Sequence, residues 1–568
     1  MNNKKADLTT QKINLLPMQI FFLISPFFFG GFHVFVSCIF SVILLGYLFY
    51  LSSKKPGITV RINDALLVVV VFLFFYLLSS IWAVDSGMAV MGFWKFLPMF
   101  PLLLIIMQLD EEQKRELFKT VPLSGCIMVA FSFPLHLIPQ LKEYFTVAGR
   151  LSGFFQYPNS FAIFLLAGLI IVTQYYNSKK IIAVLSALLV FGIFESGSRI
   201  VFVFLILTVV LLCLLAKNKF IKYSLLLILV LGIISAIIYA HFADNYDTVG
   251  RFLTSSLKSS TILGRLLYYK DALPVILKHP FGLGYMGYYF SQQEFQTGVY
   301  SVLYVHNELL QFLLDIGWIP TVLFVVVILE SLFSKKTDIC SKLLIIIICG
   351  HSLFDFDLQF ISVFFVLIAA LETNKGKTKN IFLNFKKVVV AGTMVVLLTV
   401  YFGIANFTQY IGKNELAFKI YPLNTTAEIH MLVECNDVAK QRAIAENILH
   451  RNTKLPIVYS ALANYEFSQG DIEKFIEFKN KAIALAPFSY EEYEDYAIKL
   501  IEAIDKYNSI GDFQSADYCY TVLLNLRDNL ENLENKTSSL ALRIDDKPVF
   551  GFSNEINDII NQIEEVKQ

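Results

Sequence analysis

The strongest constraint on this chain is a succession of apolar runs, each near the roughly 20 residues that a helix needs to cross a bilayer. They fall near 14–30, 32–51, 64–82, 89–107, 119–138, 159–176, 180–196, 199–216, 221–240, 311–333, 341–354, 357–371 and 387–405, with the shortest between 341 and 371. With 56% hydrophobic and 16% charged residues, the chain lies outside the range of soluble domains, and its apolar surface must face lipid. The predicted fold class is all-α: a polytopic membrane domain over 1–405 with about 12–13 spans, then a soluble helical domain over 406–568. The charged opening MNNKKADLTTQKINLL leads into apolar runs with no small-residue cleavage site between them, which predicts a retained first span.

Lys and Arg in short loops alternate with basic-poor loops, as the positive-inside rule expects. Lys54, Lys55 and Arg61, then Lys114, Arg115 and Lys119, then Lys179 and Lys180, then Lys217, Lys219 and Lys222 fall in every second loop. Lys335, Lys336 and Lys342 continue the pattern, as do Lys375, Lys377, Lys379, Lys386 and Lys387. With these loops cytoplasmic, the outer face receives 139–158, the ESGSR turn at 195–199, the long 241–310 segment, the turn at 351–358 and the C-terminal domain. Chemistry is expected there.

Several classes are excluded. A net charge of +1 gives no footprint for DNA or RNA, which is bound by concentrated Lys and Arg. The seven cysteines show no CxxC or Cys/His ligand spacing, so no zinc site is expected, and Cys435 and Cys519 of the tail are read as unpaired. Gly282, Gly284 and Gly287 in PFGLGYMGYYF lack the strand and helix of a nucleotide loop. The absence of a P-loop argues against an ATP-driven pump.

In the tail, Ala461, Ala463, Gly470, Ala482 and Pro487 sit near the small-residue, turn and proline positions of a tetratricopeptide-like repeat. Gly511, Asp512 and Ala516 repeat part of it. An ordinary helical hairpin domain is the plainer alternative. Either way the tail reads as a docking surface for a protein partner.

Arg199 stands in a short outer turn where the positive-inside rule disfavours it. Arg150 in GRLSGFFQYPNS and Arg265 in TILGRLLYYKDALPVILKHPFGLGYMGYYF share that face by topology. Three guanidinium groups at a lipid–water boundary suit a diphosphate, through bidentate bonds and a charge that is never lost. Taken singly, each is equally explained by snorkelling or an ordinary ion pair. His306, opening HNELLQFLLDIGWIP, can accept a hydroxyl proton near neutral pH, although a lone His at a helix start is more often a cap. Asn307 could orient it or the substrate. His351, Asp355 and Asp357 in HSLFDFD could hold an Arg, bind an acceptor sugar or mark a wet loop. Tyr268, Tyr269, Tyr285, Tyr288, Tyr289, Tyr300 and Tyr304 can stack on sugar rings or anchor the interface.

Together these segments resemble the O-antigen ligase and polymerase superfamily of membrane glycosyltransferases over roughly 140–370. GRLSGFFQYPN is similar to its Arg-x-x-Gly segment ending in Pro-Asn, here Pro158 and Asn159. ESGSRIVFV resembles its Ser-Arg before an outward-facing helix, and Arg265 with HPFGLGYMGYYF resembles the segment before the ligase signature. That signature, His-Asn, nine residues, then Gly, appears as His306, Asn307 and Gly317. After two further residues the family favours Gly, Thr or Tyr, where this chain has Pro320.

The resemblance implies transfer of a glycan from a polyprenyl diphosphate carrier to a glycan, lipid or protein hydroxyl. It implies action outside a bacterial cytoplasmic membrane, with no nucleotide sugar, metal or other cofactor. Carried over by position, Arg150, Arg199 and Arg265 are candidates for the diphosphate, Asn159, Asn307 and Asp355 for substrate, and His306 for catalysis with inversion. The tail, similar to those of polymerase-like members, tilts the expectation toward polymerase over ligase. A flippase or polysaccharide transporter is the alternative from another class, though neither repeated halves nor paired broken helices are evident. A membrane-anchored scaffold is a third, and it leaves Arg199 and His306 unexplained.

Overall fold

Lipid offers backbone N–H and C=O groups no water, so apolar runs satisfy them internally as helices. The computed structural model describes residues 13–54, 57–215, 219–242, 260–373 and 379–567. Lys55, Lys217, Lys375, Lys377 and part of the 241–310 segment lie outside the described residues. Among the described residues six helices are long and apolar enough to cross a bilayer: Val34–Lys54, Asp64–Ile81, Ser86–Ile106, Glu111–His136, Pro158–Tyr175 and Phe385–Tyr410. Shorter apolar helices are Leu16–Phe27, Arg199–Leu215, Lys222–Ile234, Trp318–Phe333, Ile339–His351 and Ile361–Ala370, and Lys179–Glu195 supplies a further 17-residue helix. The protein is an all-α polytopic membrane protein.

Backbone breaks bound or divide two of the apolar runs. The first run stops where Phe29, Gly30 and Gly31 take φ of 53°, 60° and 82°. A Cβ on Gly30 would lie 2.6 Å from the Phe155 ring, so the break is packed in place. The 311–333 run is divided at Gly317, φ 80°.

The chain forms two compact units. One comprises Met1–Leu73, Trp94–Thr254 and Leu323–Gly403; the other comprises Phe74–Phe93, Ser255–Val322 and Ile404–Gln568. At the centre of the first, Pro158–Tyr175 is 83% buried over its apolar window and packs against Thr120–His136, Lys179–Glu195, Arg199–Leu215 and Ile339–His351. Phe385–Tyr410 is only 22% buried and exposes Val390, Met394 and Leu397, the surface of a lipid-facing helix. Strand Gly57–Ile62 pairs antiparallel with Lys379–Asn384, Gly57 opposite Asn384. This joins two loops that the basic-residue alternation assigns to one membrane face.

In the second unit the tail builds two helical hairpins, Pro456–Gln469 with Ile472–Leu485 and Tyr490–Ser509 with Phe513–Glu531. Both turns read Gly-Asp for a local reason. Gly470 and Gly511 adopt φ near +80° and +76°, the left-handed conformation that ends a helix without a Cβ clash. Asp471 and Asp512 then cap the next helix, each accepting a backbone N–H at 3.1 Å. Phe475, Tyr493, Tyr496, Leu500 and Leu523 fill the core between the hairpins.

Candidate functional site

In the first unit a turn and a buried carboxylate are tied together by Arg150. Two short strands, Thr146–Val147 and Arg150–Leu151, pair across Ala148 and Gly149, and Pro158 then opens the Pro158–Tyr175 helix where its missing N–H costs nothing. Arg150 Nε donates to the Ser196 carbonyl at 2.8 Å and Nη2 to Asn159 Oδ1 at 2.6 Å. Asn159 Nδ2 donates to Asp355 Oδ2 at 2.6 Å, and the Tyr157 hydroxyl to Asp355 Oδ1 at 2.8 Å. Arg150, Asn159, Asp355 and the ESGSR turn, distant in sequence, thus form one network, with Arg199 half-buried at the first position of the Arg199–Leu215 helix.

The HSLFDFD turn is not a wet loop. His351, Asp355 and Asp357 are fully buried. His351 Nδ1 lies 2.5 Å from Asp357 Oδ2, while Ser160 Oγ donates to Asp357 Oδ1 at 2.8 Å. Asp355 thus holds the asparagine that in turn bonds Arg150. Beside the network, Tyr157 packs on Phe356 and Phe360 at centroid distances of 4.7 and 5.7 Å, a partly exposed aromatic shelf.

The second unit carries Arg265 and His306. Arg265 is 8% exposed on the Ser260–Lys278 helix. His306 takes φ +56°, a conformation that costs a non-glycine residue about 1–3 kcal/mol and persists only when its surroundings impose it. They do so from both sides. The Val305 N–H donates to Gln311 Oε1 at 3.0 Å, and the Tyr269 hydroxyl donates to the His306 carbonyl at 2.6 Å. Gln311 is itself fixed through Nε2 to Asp315 Oδ1 at 2.8 Å, and Asp315 Oδ2 accepts from the Tyr76 hydroxyl at 3.0 Å. All of these braces are buried or half-buried.

Asn307 is the N-cap of the Glu308–Ile316 helix, its Oδ1 accepting from Leu310 N at 3.1 Å. Asn307→Ala is therefore expected to lower stability by about 1 kcal/mol and Asn307→Asp to leave it nearly unchanged, measured by thermal melting in detergent. Pro320 does not disturb the helix that follows Gly317. It occupies the first turn of Trp318–Phe333, where an N–H would have no helical acceptor.

Gln311 and Asp315 went unread in the sequence, although Glu308, Gln311 and Asp315 form a polar stripe at helical spacing in an otherwise apolar segment. Lys95 was also missed. It is fully buried in the first unit, donating to the Gly31 carbonyl at 3.2 Å and to the Phe32 carbonyl, with Nζ 5.0 Å from the Phe32 ring centre. An intramembrane Lys in GFWKFLP is itself a signal. Among the described residues no cluster of His, Cys, Asp and Glu could hold a metal ion.

The family model described as O-antigen ligase matches residues 182–325, from the Lys179–Glu195 helix through the Arg265 and His306 segments into Trp318–Phe333. No curated protein and no solved structure matches the chain.

Proposed function

We propose, from the match of residues 182–325 to the family model described as O-antigen ligase, that the chain is a member of the O-antigen ligase and polymerase superfamily and transfers glycan from a polyprenyl diphosphate to an acceptor hydroxyl. The observation that carries this is the left-handed His306, a strained residue braced from both flanks at the head of the signature helix. Strain of this kind is maintained where a side chain must be aimed.

In the proposed reaction His306 takes the proton of the acceptor hydroxyl as its oxygen attacks the anomeric carbon. The bond from that carbon to the diphosphate oxygen breaks, its electron pair leaves with the diphosphate, and the anomeric centre inverts. Arg150, Arg199 and Arg265 hold the diphosphate and stabilise its growing charge, the interaction that strengthens toward the transition state. Such a leaving group needs no general acid. Asn159 and Asp355 keep the Arg150 fork in one orientation.

The reaction is assigned to the outer face of a bacterial cytoplasmic membrane, with 1–405 as the transferase domain and 406–568 as an extracytoplasmic appendage. Polymerisation is favoured over ligation by that helical tail. The test is chain-length analysis of surface glycan from cells with the intact protein, no protein, or Arg265→Ala at matched expression. Single repeat units in the variant support polymerisation, and long carrier-linked chains with none on the acceptor indicate a ligase. Wild-type glycan from Arg265→Ala would sink the enzyme reading.

A further inference from the structure

The helix that carries Arg265 is gripped by a segment of the tail. Five and six residues beyond Arg265 on that helix, Lys270 and Asp271 begin the contact. The 5%-exposed Asp271 carboxylate accepts from Thr297 N and Thr297 Oγ1, both at 2.8 Å, and from the Tyr300 hydroxyl at 3.1 Å. Thr297 in turn offers its carbonyl to Ser538 N at 2.9 Å, and Lys270 Nζ donates to Ser538 Oγ at 2.9 Å.

An apolar contact backs these bonds. Ala541 and Ile544 cluster with Leu263, Leu267 and Tyr300. They do not belong to the core that holds the tail hairpins together. Residues 537–546 thus bury their apolar side against the outer segment. The fit is close at Gly298, where an added Cβ would lie 2.4 Å from the Ala541 Cβ.

From this grip the contacts run on to His306. The Tyr300 and Tyr268 rings are 4.6 Å apart, the Tyr268 and His306 rings 6.1 Å, and the Tyr269 hydroxyl holds the His306 carbonyl. We propose that residues 537–546 are a strap that positions the His306 segment, making the tail a working part of the site and not only an appendage. The proposal rests on the reading of function above for its consequence, but not for its physical test. Ser538, Ala541 and Ile544 are positioning residues, since they act through Thr297 and Tyr300.

The experiment is hydrogen exchange on the full-length protein in detergent, followed over residues 297–306, for wild type, Gly298→Ala, Ala541→Gly and the double variant. The Gly298→Ala methyl should push the strap away and speed exchange by about tenfold, while Ala541→Gly removes the opposing methyl and should restore protection in the double variant. Glycan chain length in cells should fall with Gly298→Ala and recover with the pair. If Gly298→Ala does not yield folded protein, Lys270→Met removes the bond to Ser538 together with the charge beside Asp271, and should raise exchange over the same residues by a smaller factor. Unchanged exchange in a folded variant overturns the strap, and so does a rise that Ala541→Gly fails to reverse. Wild-type glycan from Arg265→Ala would remove the transferase reading, and the exchange result would still decide whether the strap holds the His306 segment.

Discussion

His306→Gly protein is expected to fold as well as the wild type and to transfer glycan roughly 10²- to 10⁴-fold more slowly, the loss typical of removing a general base. The two halves of this result separate backbone strain from chemistry. At φ +56° an L-residue is strained by about 1–2 kcal/mol, which glycine avoids, while glycine gives back roughly 0.5–1 kcal/mol through its freer unfolded chain. The difference leaves the glycine variant level with the wild type or up to about 1.5 kcal/mol above it, so melting should not fall. His306→Ala keeps the strain and lacks the imidazole, so it should lose the same activity and melt slightly below the glycine variant. Transfer assays beside melting curves in detergent check both halves. If His306→Gly retained transfer near the wild-type rate, His306 would have no part in proton transfer, and the braces around it would need another explanation.

The helical architecture was legible because lipid imposes it on any long apolar run. What the hydropathy could not show is where a run breaks. Gly317 divides the apolar 311–333 run with no change in hydropathy, whereas Phe29 through Gly31 fall at the boundary read between 14–30 and 32–51. The Gly57–Ile62 and Lys379–Asn384 pairing joins segments more than 300 residues apart, a relation with no local signal. Arg150, Asn159 and Asp355 were each singled out for their chemistry, yet their hydrogen bonds to one another depend on a fold that brings Asn159 to a partner 196 positions away. The strap at 537–546 carries no motif. Its grip is made of a backbone N–H, small residues and one Lys contact, which are invisible until the two segments are side by side.

The glycines of PFGLG pack against the end of the signature helix, and that contact sets the second large expected effect. Gly317→Ala should destabilise the protein by about 2–5 kcal/mol, combining left-handed strain of about 1–2 kcal/mol with overpacking of about 1–3 kcal/mol. Gly317 has φ +80°, and a Cβ there would lie 2.3 Å from the Pro280 carbonyl oxygen and 2.6 Å from the Phe281 backbone. Gly282 mirrors it, with φ +82° and a Cβ that would fall 2.6 Å from the Asp315 carbonyl. Neither neighbour is a flexible side chain that can turn aside. Both are main chain, fixed by Leu283 N to Leu314 O at 2.5 Å, Gly284 N to Asp315 O at 3.0 Å and Trp318 N to Pro280 O at 3.0 Å. The first two bonds satisfy the Leu314 and Asp315 carbonyls at the end of the signature helix, which would otherwise be orphaned, so the loop caps the helix and Gly317 makes the cap possible. Two of the three tryptophans flank this contact: Trp82 Nε1 donates to the Phe281 carbonyl at 3.2 Å, and Trp318 follows Gly317 directly. Tryptophan emission therefore reports on the contact as the protein is heated. Because Asp315 also anchors Gln311 and through it Val305, a loosened cap should carry into the His306 segment, lowering transfer at temperatures where the fold survives. The double variant Gly282→Ala, Gly317→Ala should cost less than the sum of the two, since each alone already prises the same surfaces apart. A Gly317→Ala protein melting within about 1 kcal/mol of wild type would mean the loop can withdraw freely, and the rigid seat inferred for His306 would fall with it.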